Sequence, residues 1–146
     1  MFKKSYNQKI YKILEEKDLK EQYNMIIDYI SYYLINNVKI YEMCDFKDNK
    51  CIANRLNKSI EKINGCCYVF RKGLCNKLDL DKKKCSIDCI SCKSFICSYL
   101  EKEYGKIKLS EIFPLKEVFN RRQISIIKRS FFKDKKEIIT LLLENK

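Results

Sequence analysis

The sequence predicts a mainly α, small single-domain helical protein with a short irregular or β-hairpin cysteine-rich insert. Three observations predict it. Apolar residues recur at three- and four-residue steps on both sides of the chain's middle. Seven of the nine cysteines fall between Cys66 and Cys97. Within that stretch the helical period gives way to short β-branched and aromatic runs interrupted by Gly73. At 146 residues the chain suits one domain with enough apolar content for a core. It divides into a helical part at 1–64, a cysteine-cluster part at 65–100 and C-terminal helices at 106–146.

Residues 4–16 place Tyr6, Ile10, Ile13 and Leu14 on one face of a short helix. Residues 19–43 carry Tyr23, Ile26, Ile27, Ile30, Tyr33, Leu34, Val38 and Tyr41, which predicts one long helix with a single buried stripe. Tyr29, Tyr32, Tyr33 and Tyr41 have the composition of a base-stacking platform, but at helical spacing they read as core and core rim. Residues 49–63 align Ile52, Leu56, Ile60 and Ile63 on a third helix, closed by Asn64-Gly65, a pair suited to a left-handed cap. Residues 67–70 and 84–87 read as short strands, with a turn at 71–73. Asp88 then reads as the N-cap of a helix over 89–103, on which Cys89 and Cys92 point the same way. Phe95, Ile96, Tyr99 and Leu100 form its apolar face and Gly105 ends it. Ser110 caps a turn, Pro114 opens a helix over 114–129, and a last helix covers 133–144.

The chain has no histidine and no tryptophan, and neither a glycine-rich phosphate loop nor a serine-hydrolase elbow. Chemistry therefore rests on the cysteines. An odd total of nine cannot pair fully within one chain. The N-terminus lacks an apolar stretch of signal-peptide length, and no window approaches the roughly 18 apolar residues of a membrane-spanning helix. These features predict a cytoplasmic protein with no membrane partner, whose thiols stay reduced and bind metal rather than crosslink. Thiolate is a soft ligand, and sulfur-only sites suit an iron–sulfur cluster or Zn2+. The candidate metal ligands are Cys66, Cys67, Cys75, Cys85, Cys89, Cys92 and Cys97. Their successive spacings of 1, 8, 10, 4, 3 and 5 contain one C-x-x-C pair, Cys89 and Cys92, where a zinc ribbon uses two. Cys44 and Cys51 read as small buried hydrophobes.

The order Cys66-Cys67, Cys75-x-x-Leu78, Cys85-x-Ile87 and Cys92-Lys93-x-Phe95-x-Cys97 resembles the YkgJ-type cysteine-cluster domain, a zinc- or iron-chelating family. Lys93 and Ile96 stand where that family usually has Arg and Pro, and Cys89 is additional. The resemblance implies that Cys66, Cys67, Cys75, Cys85, Cys92 and Cys97 include the metal ligands, and it implies no reaction.

The net charge of +12 comes mostly from lysine, 26 of 31 basic residues. Lysine spread along the whole chain, with abundant Ile, Asn and Tyr, reads first as a solvated surface and second as a polyanion-binding face. Arg121, Arg122, Lys128 and Arg129 are the candidate nucleic-acid contacts, with Val118, Phe119, Ile126 and Ile127 turned inward. Three functions compete. The favoured one is a metal-binding protein with an iron–sulfur cluster of structural or sensory role. The second is a zinc-stabilised nucleic-acid-binding regulatory module. The third is an enzyme using the cluster or a reactive thiol, for which Asp79, Asp81 and Asp88 offer no paired-carboxylate spacing. No feature indicates a protein partner.

Overall fold

A computed structural model describes residues 6–48, 50–58 and 89–146, with the backbone of Tyr68–Val69, Gly73–Leu74, Leu78–Asp79 and Lys84–Cys85. Helix α1 (Gln8–Leu14) starts at Asn7, whose side chain accepts the Ile10 N–H at 2.9 Å. Helix α2 (Leu19–Tyr33) starts at Asp18, which accepts the Glu21 N–H at 3.0 Å. Both caps satisfy amides that a helix start leaves without partners. Tyr23, Ile26, Ile27, Ile30 and Leu34 are buried, so the expected stripe forms.

The single helix expected over 19–43 does not form. Leu34–Val38 is a π-helical turn in which the Lys39 N–H reaches the Leu34 carbonyl at 2.9 Å. Lys39 then enters the left-handed region at φ 54°, and helix α3 (Ile40–Cys44) begins anew. Tyr33, expected within the stripe, is 39% exposed because it stands at the stripe's edge rather than its centre. The Tyr41 side chain lies outside the described residues.

Helix α4 (Ile52–Arg55) is shorter than the expected third helix, and Leu56 turns outward, 51% exposed. Asn49, Ile60, Ile63 and the Asn64-Gly65 cap lie outside the described residues. Arg55 holds the turn between α3 and α4, bonding both the Asp45 carboxylate at 2.9 Å and the Asp45 backbone carbonyl. That hydrogen bond keeps the Asp45 carboxyl below its ordinary range. Strand β1 (Tyr68–Val69) pairs antiparallel with β2 (Gly73–Leu74), and β3 (Leu78–Asp79) with β4 (Lys84–Cys85).

The expected helix over 89–103 is two helices, α5 (Ile90–Lys93) and α6 (Ser98–Tyr104). Cys97 adopts extended backbone as the N-cap of α6, and Gly105 closes that helix at φ 84°. Cys89 occupies the N-cap of α5, while Asp88 lies outside the described residues. Ser110 sits inside α7 (Leu109–Ile112) rather than capping a turn. A 3-10 turn (Leu115–Glu117) follows Pro114, so α8 (Arg121–Arg129) starts later than expected. Asn120 and Gln123 form a reciprocal capping box at its start. Asp134 caps α9 (Lys135–Glu144) by accepting the Glu137 N–H at 2.8 Å.

The molecule is mainly helical, and α2 is its axis, packed by α1, α5, α7 and α9, with α8 lying on α5 and α9. Gln123 joins three of these helices. Buried to 2% exposure, its amide donates to the Tyr23 hydroxyl and the Leu142 carbonyl, each at 2.9 Å. Its side-chain oxygen accepts the Asn120 N–H at 3.0 Å. Replacing Gln123 by Ala removes the partners of the buried Tyr23 hydroxyl and the Asn120 N–H and leaves the Leu142 carbonyl with the Asn145 N–H alone. Gln123→Ala should therefore lower the unfolding free energy by about 2–4 kcal/mol in urea titrations. A change within about 0.5 kcal/mol, as at an ordinary surface site, would mean that this amide does not tie the helices.

Candidate metal centre

Cys89, as the residue before α5, has extended backbone, and one helical turn brings Cys92 beside it. Cys89 is fully buried and Cys92 half-buried, both against the main core. Four contacts fasten this turn to the end of α8 and the loop after it. The Ser91 hydroxyl donates to the Ile127 carbonyl at 2.5 Å and accepts the Ser130 N–H at 3.0 Å. The Cys89 thiol donates to the Ser130 carbonyl at 3.3 Å. The Phe132 N–H donates to Cys92 Sγ at 3.1 Å.

Phe132 holds φ at +64°, a conformation costly for a bulky residue, on the order of 1–3 kcal/mol. The conformation aims consecutive amides at the sulfur pair: Phe132 N–H bonds Cys92, and Lys133 N–H faces Cys89. Successive N–H groups around a left-handed residue make a concavity for anions. Here the anion is thiolate.

The Cys89 thiol is accordingly lowered from its ordinary 9.0 to about 6. The largest cause is the hydrogen bond from the Cys92 thiol. Burial pushes the other way, and the backbone N–H groups of Cys92, Lys133 and Ser91 add to the lowering. The two α5 amides do so without closing a full capping hydrogen bond. Deprotonation thus exchanges the S–H···O contact with Ser130 for several N–H donors. Thiolate is the form that binds metal.

The remaining candidates are placed differently. Cys97 caps α6 and is buried in a smaller apolar cluster with Ile96 and Leu100, against which Cys44, Met43 and Ile52 pack. Cys51 caps α4, its sulfur accepting the Asn54 N–H at 3.4 Å. The side chains of Cys66, Cys67, Cys75 and Cys85 lie outside the described residues. Among the described residues, no group of three or more Cys, His, Asp or Glu side chains converges to hold a metal ion. Lys93, next to Cys92 on α5, is buried to 1% exposure.

Arg121, Arg122, Lys128 and Arg129 are all exposed on α8. Lys128 and Arg129 occupy its last turn, where cations complement the helix dipole. The sequence reading missed Ser91, Ser130 and Phe132. Ser91 sits between the two cysteines, so its position was visible while its partners nearly 40 residues away were not. A phenylalanine gives no local signal of left-handed backbone.

Comparison with known proteins finds no match: no protein-family model, curated protein or solved structure is similar to this chain. Among the described residues, no helix is long and apolar enough to cross a membrane.

In metal-free, reduced protein the ultraviolet thiolate absorbance should show one group titrating near pH 6. Cys92→Ala should move that midpoint upward, because the side chain that donates the largest lowering hydrogen bond is removed. Cys89 has a folded value below its unfolded one. Its contribution to stability is therefore complete above about 9 and is lost as pH falls through about 6. A wild-type titration confined to the ordinary thiol range would contradict the arrangement.

Proposed function

We propose that the chain is a metal-binding protein whose thiolates hold an iron–sulfur cluster of structural or sensory role within a cysteine-rich insert. The observation that carries the reading is the Cys89–Cys92 pair, enclosed by α5 and the loop after α8, with backbone N–H groups aimed at both sulfurs. Those donors fit the group. The chain has no histidine, so the available soft ligands are sulfur, and one of them is already poised as thiolate. Cys89 and Cys92 would supply two ligands, and Cys66, Cys67, Cys75, Cys85 and Cys97 are the pool for the rest. The resemblance to the YkgJ-type cysteine-cluster domain implies Cys66, Cys67, Cys75, Cys85, Cys92 and Cys97 as the ligand pool; Cys89 is this chain's addition to that pattern. Hydrogen bonds to ligand sulfur raise or lower a cluster's potential, which is the role given to Phe132 N–H. Zn2+ is the alternative occupant. When bound, a cluster supplies one-electron redox chemistry; zinc supplies none.

Protein purified anaerobically should contain iron and inorganic sulfide and absorb broadly near roughly 400 nm. A colourless protein with stoichiometric zinc would assign the alternative. Folded protein without either metal would end both. Ser91→Ala removes the clamp without touching a ligand, and should weaken metal retention by about tenfold or more in chelator competition.

A nucleic-acid-binding role has one supporting observation. Arg121 and Lys128, and likewise Arg122 and Arg129, stand seven residues apart on α8, so the four share one exposed face. If that face is only solvated lysine and arginine, duplex DNA binding will be sequence-indifferent and vanish near physiological salt. Salt-resistant, sequence-dependent binding lost in Arg121→Ala and Arg122→Ala would put the regulatory role first.

A further inference from the structure

On the face formed by α1 and α2, well away in sequence from the cysteines, lies a cavity of about 570 Å³. Tyr29, Tyr32, Tyr33, Lys9 and Lys12 line it. Tyr32 is 66% exposed and Tyr33 39%, so these rings do not serve the core. Tyr29 is the floor. Its ring packs edge-on against Phe113 at 6.0 Å, and its hydroxyl accepts the Asn7 amide at 2.9 Å. A second cavity of about 860 Å³ shares Asn7, Tyr29 and Tyr33 with it and is also lined by Tyr6. The trough bearing the exposed rings is the first of the two.

The first cavity carries Lys9 and Lys12 against one carboxylate, whereas Glu111, Glu117 and Lys116 line the second, so the basic excess belongs to the first alone. Lys9 lies 5.9 Å from the centre of the Tyr32 ring. The acidic lining residue of the first cavity, Asp28, is neutralised by Lys135 at 2.7 Å. The rings therefore sit beside two lysines. The π-helical turn begins immediately after Tyr33. Such turns are rare and frequently occur at functional sites.

We propose that this trough binds single-stranded nucleic acid, its bases stacking on Tyr32 and Tyr33 and its phosphates meeting Lys9 and Lys12. Aromatic faces exposed beside a basic track are the chemistry of single-strand recognition, in which every base offers a stacking surface. Duplex keeps its bases stacked internally and offers these rings nothing. The signal is local juxtaposition, not net charge, so it stands apart from the basic face of α8 and from the metal centre.

The test is fluorescence anisotropy of the whole protein with labelled oligouridylate and oligothymidylate, and with duplex DNA and polyglutamate as competitors. Either single strand should bind, and the tighter of the two names the natural strand. Tyr32→Ala and Tyr33→Ala should each weaken binding by roughly tenfold, while Tyr32→Phe and Tyr33→Phe retain it. Lys9→Ala and Lys12→Ala should each flatten the slope of log K against log salt by about 0.7. Lys102→Ala, at an exposed lysine of α6, should leave the single-strand affinity unchanged. No binding to either oligonucleotide would overturn the proposal. So would equal displacement by duplex or polyglutamate, or affinity that survives loss of both rings.

Discussion

The structure depends most on the way one helical turn, α5, is held against the end of α8. Ser91 fills the seam with a hydroxyl that both donates and accepts, giving the Ile127 carbonyl its partner and the Ser130 amide a second acceptor beside the Ile126 carbonyl. A helix terminus buried without such partners leaves backbone groups unsatisfied, at about 1–3 kcal/mol each. Because Ser91 lies between Cys89 and Cys92, the bonds that complete α8 also fix the sulfurs. Core and cysteines share one joint. A change in either is felt by the other.

That joint explains the strained backbone at Phe132. With any ordinary φ the Phe132 and Lys133 amides would not both face sulfur, and the thiolate at Cys89 would sit beside the Ser130 carbonyl with fewer donors. A left-handed aromatic residue persists where surrounding contacts over-determine it. Here Phe131 packs edge-on with Phe95 at 5.9 Å, and Ser130 is held by Ser91, so the loop is anchored just before the strained position. The Phe132 backbone adds to the acidity of Cys89 through the Lys133 amide, after the larger lowering by the Cys92 thiol.

What the sequence disclosed follows physical range. Interactions within one turn were legible: the apolar stripe of α2, the closing Gly105 and the presence of helices in both halves. The pairing of Cys89 with Cys92 was legible too, since three-residue spacing on a helix decides it. Interactions that depend on the fold were hidden. Between Lys93 and Ser98 the break comes with the burial of Ile96 and Cys97, which outweighs helical propensity, a weak preference. Before Lys39 the exposed Asn36 and Asn37 amides bond back to the Tyr32 and Tyr33 carbonyls, a local competition with the helix ladder. Cys97 reads as a helix-interior residue in the pattern and acts as a cap in the structure. Gln123 reads as a polar surface residue until Tyr23 and Leu142 are brought to it. The tyrosines of α2 divide by position on the wheel: Tyr23 is core, Tyr29 is rim, and Tyr32 and Tyr33 face solvent.

The hydrogen bond between Gln123 and Tyr23 joins residues 100 positions apart, and the whole run from Cys66 to Cys97 lies inside the loop it closes. Closure entropy grows only with the logarithm of loop length, so doubling such a loop costs about 0.6 kcal/mol. The helical frame is therefore nearly indifferent to how many residues separate α4 from α5. Insertions and deletions there are inexpensive for folding, provided the segment returns to Cys89 in register with Ser91. As far as the helical frame is concerned, the length of the segment between α4 and α5 is free to change, and the frame becomes a carrier on which segments of different lengths can be exchanged.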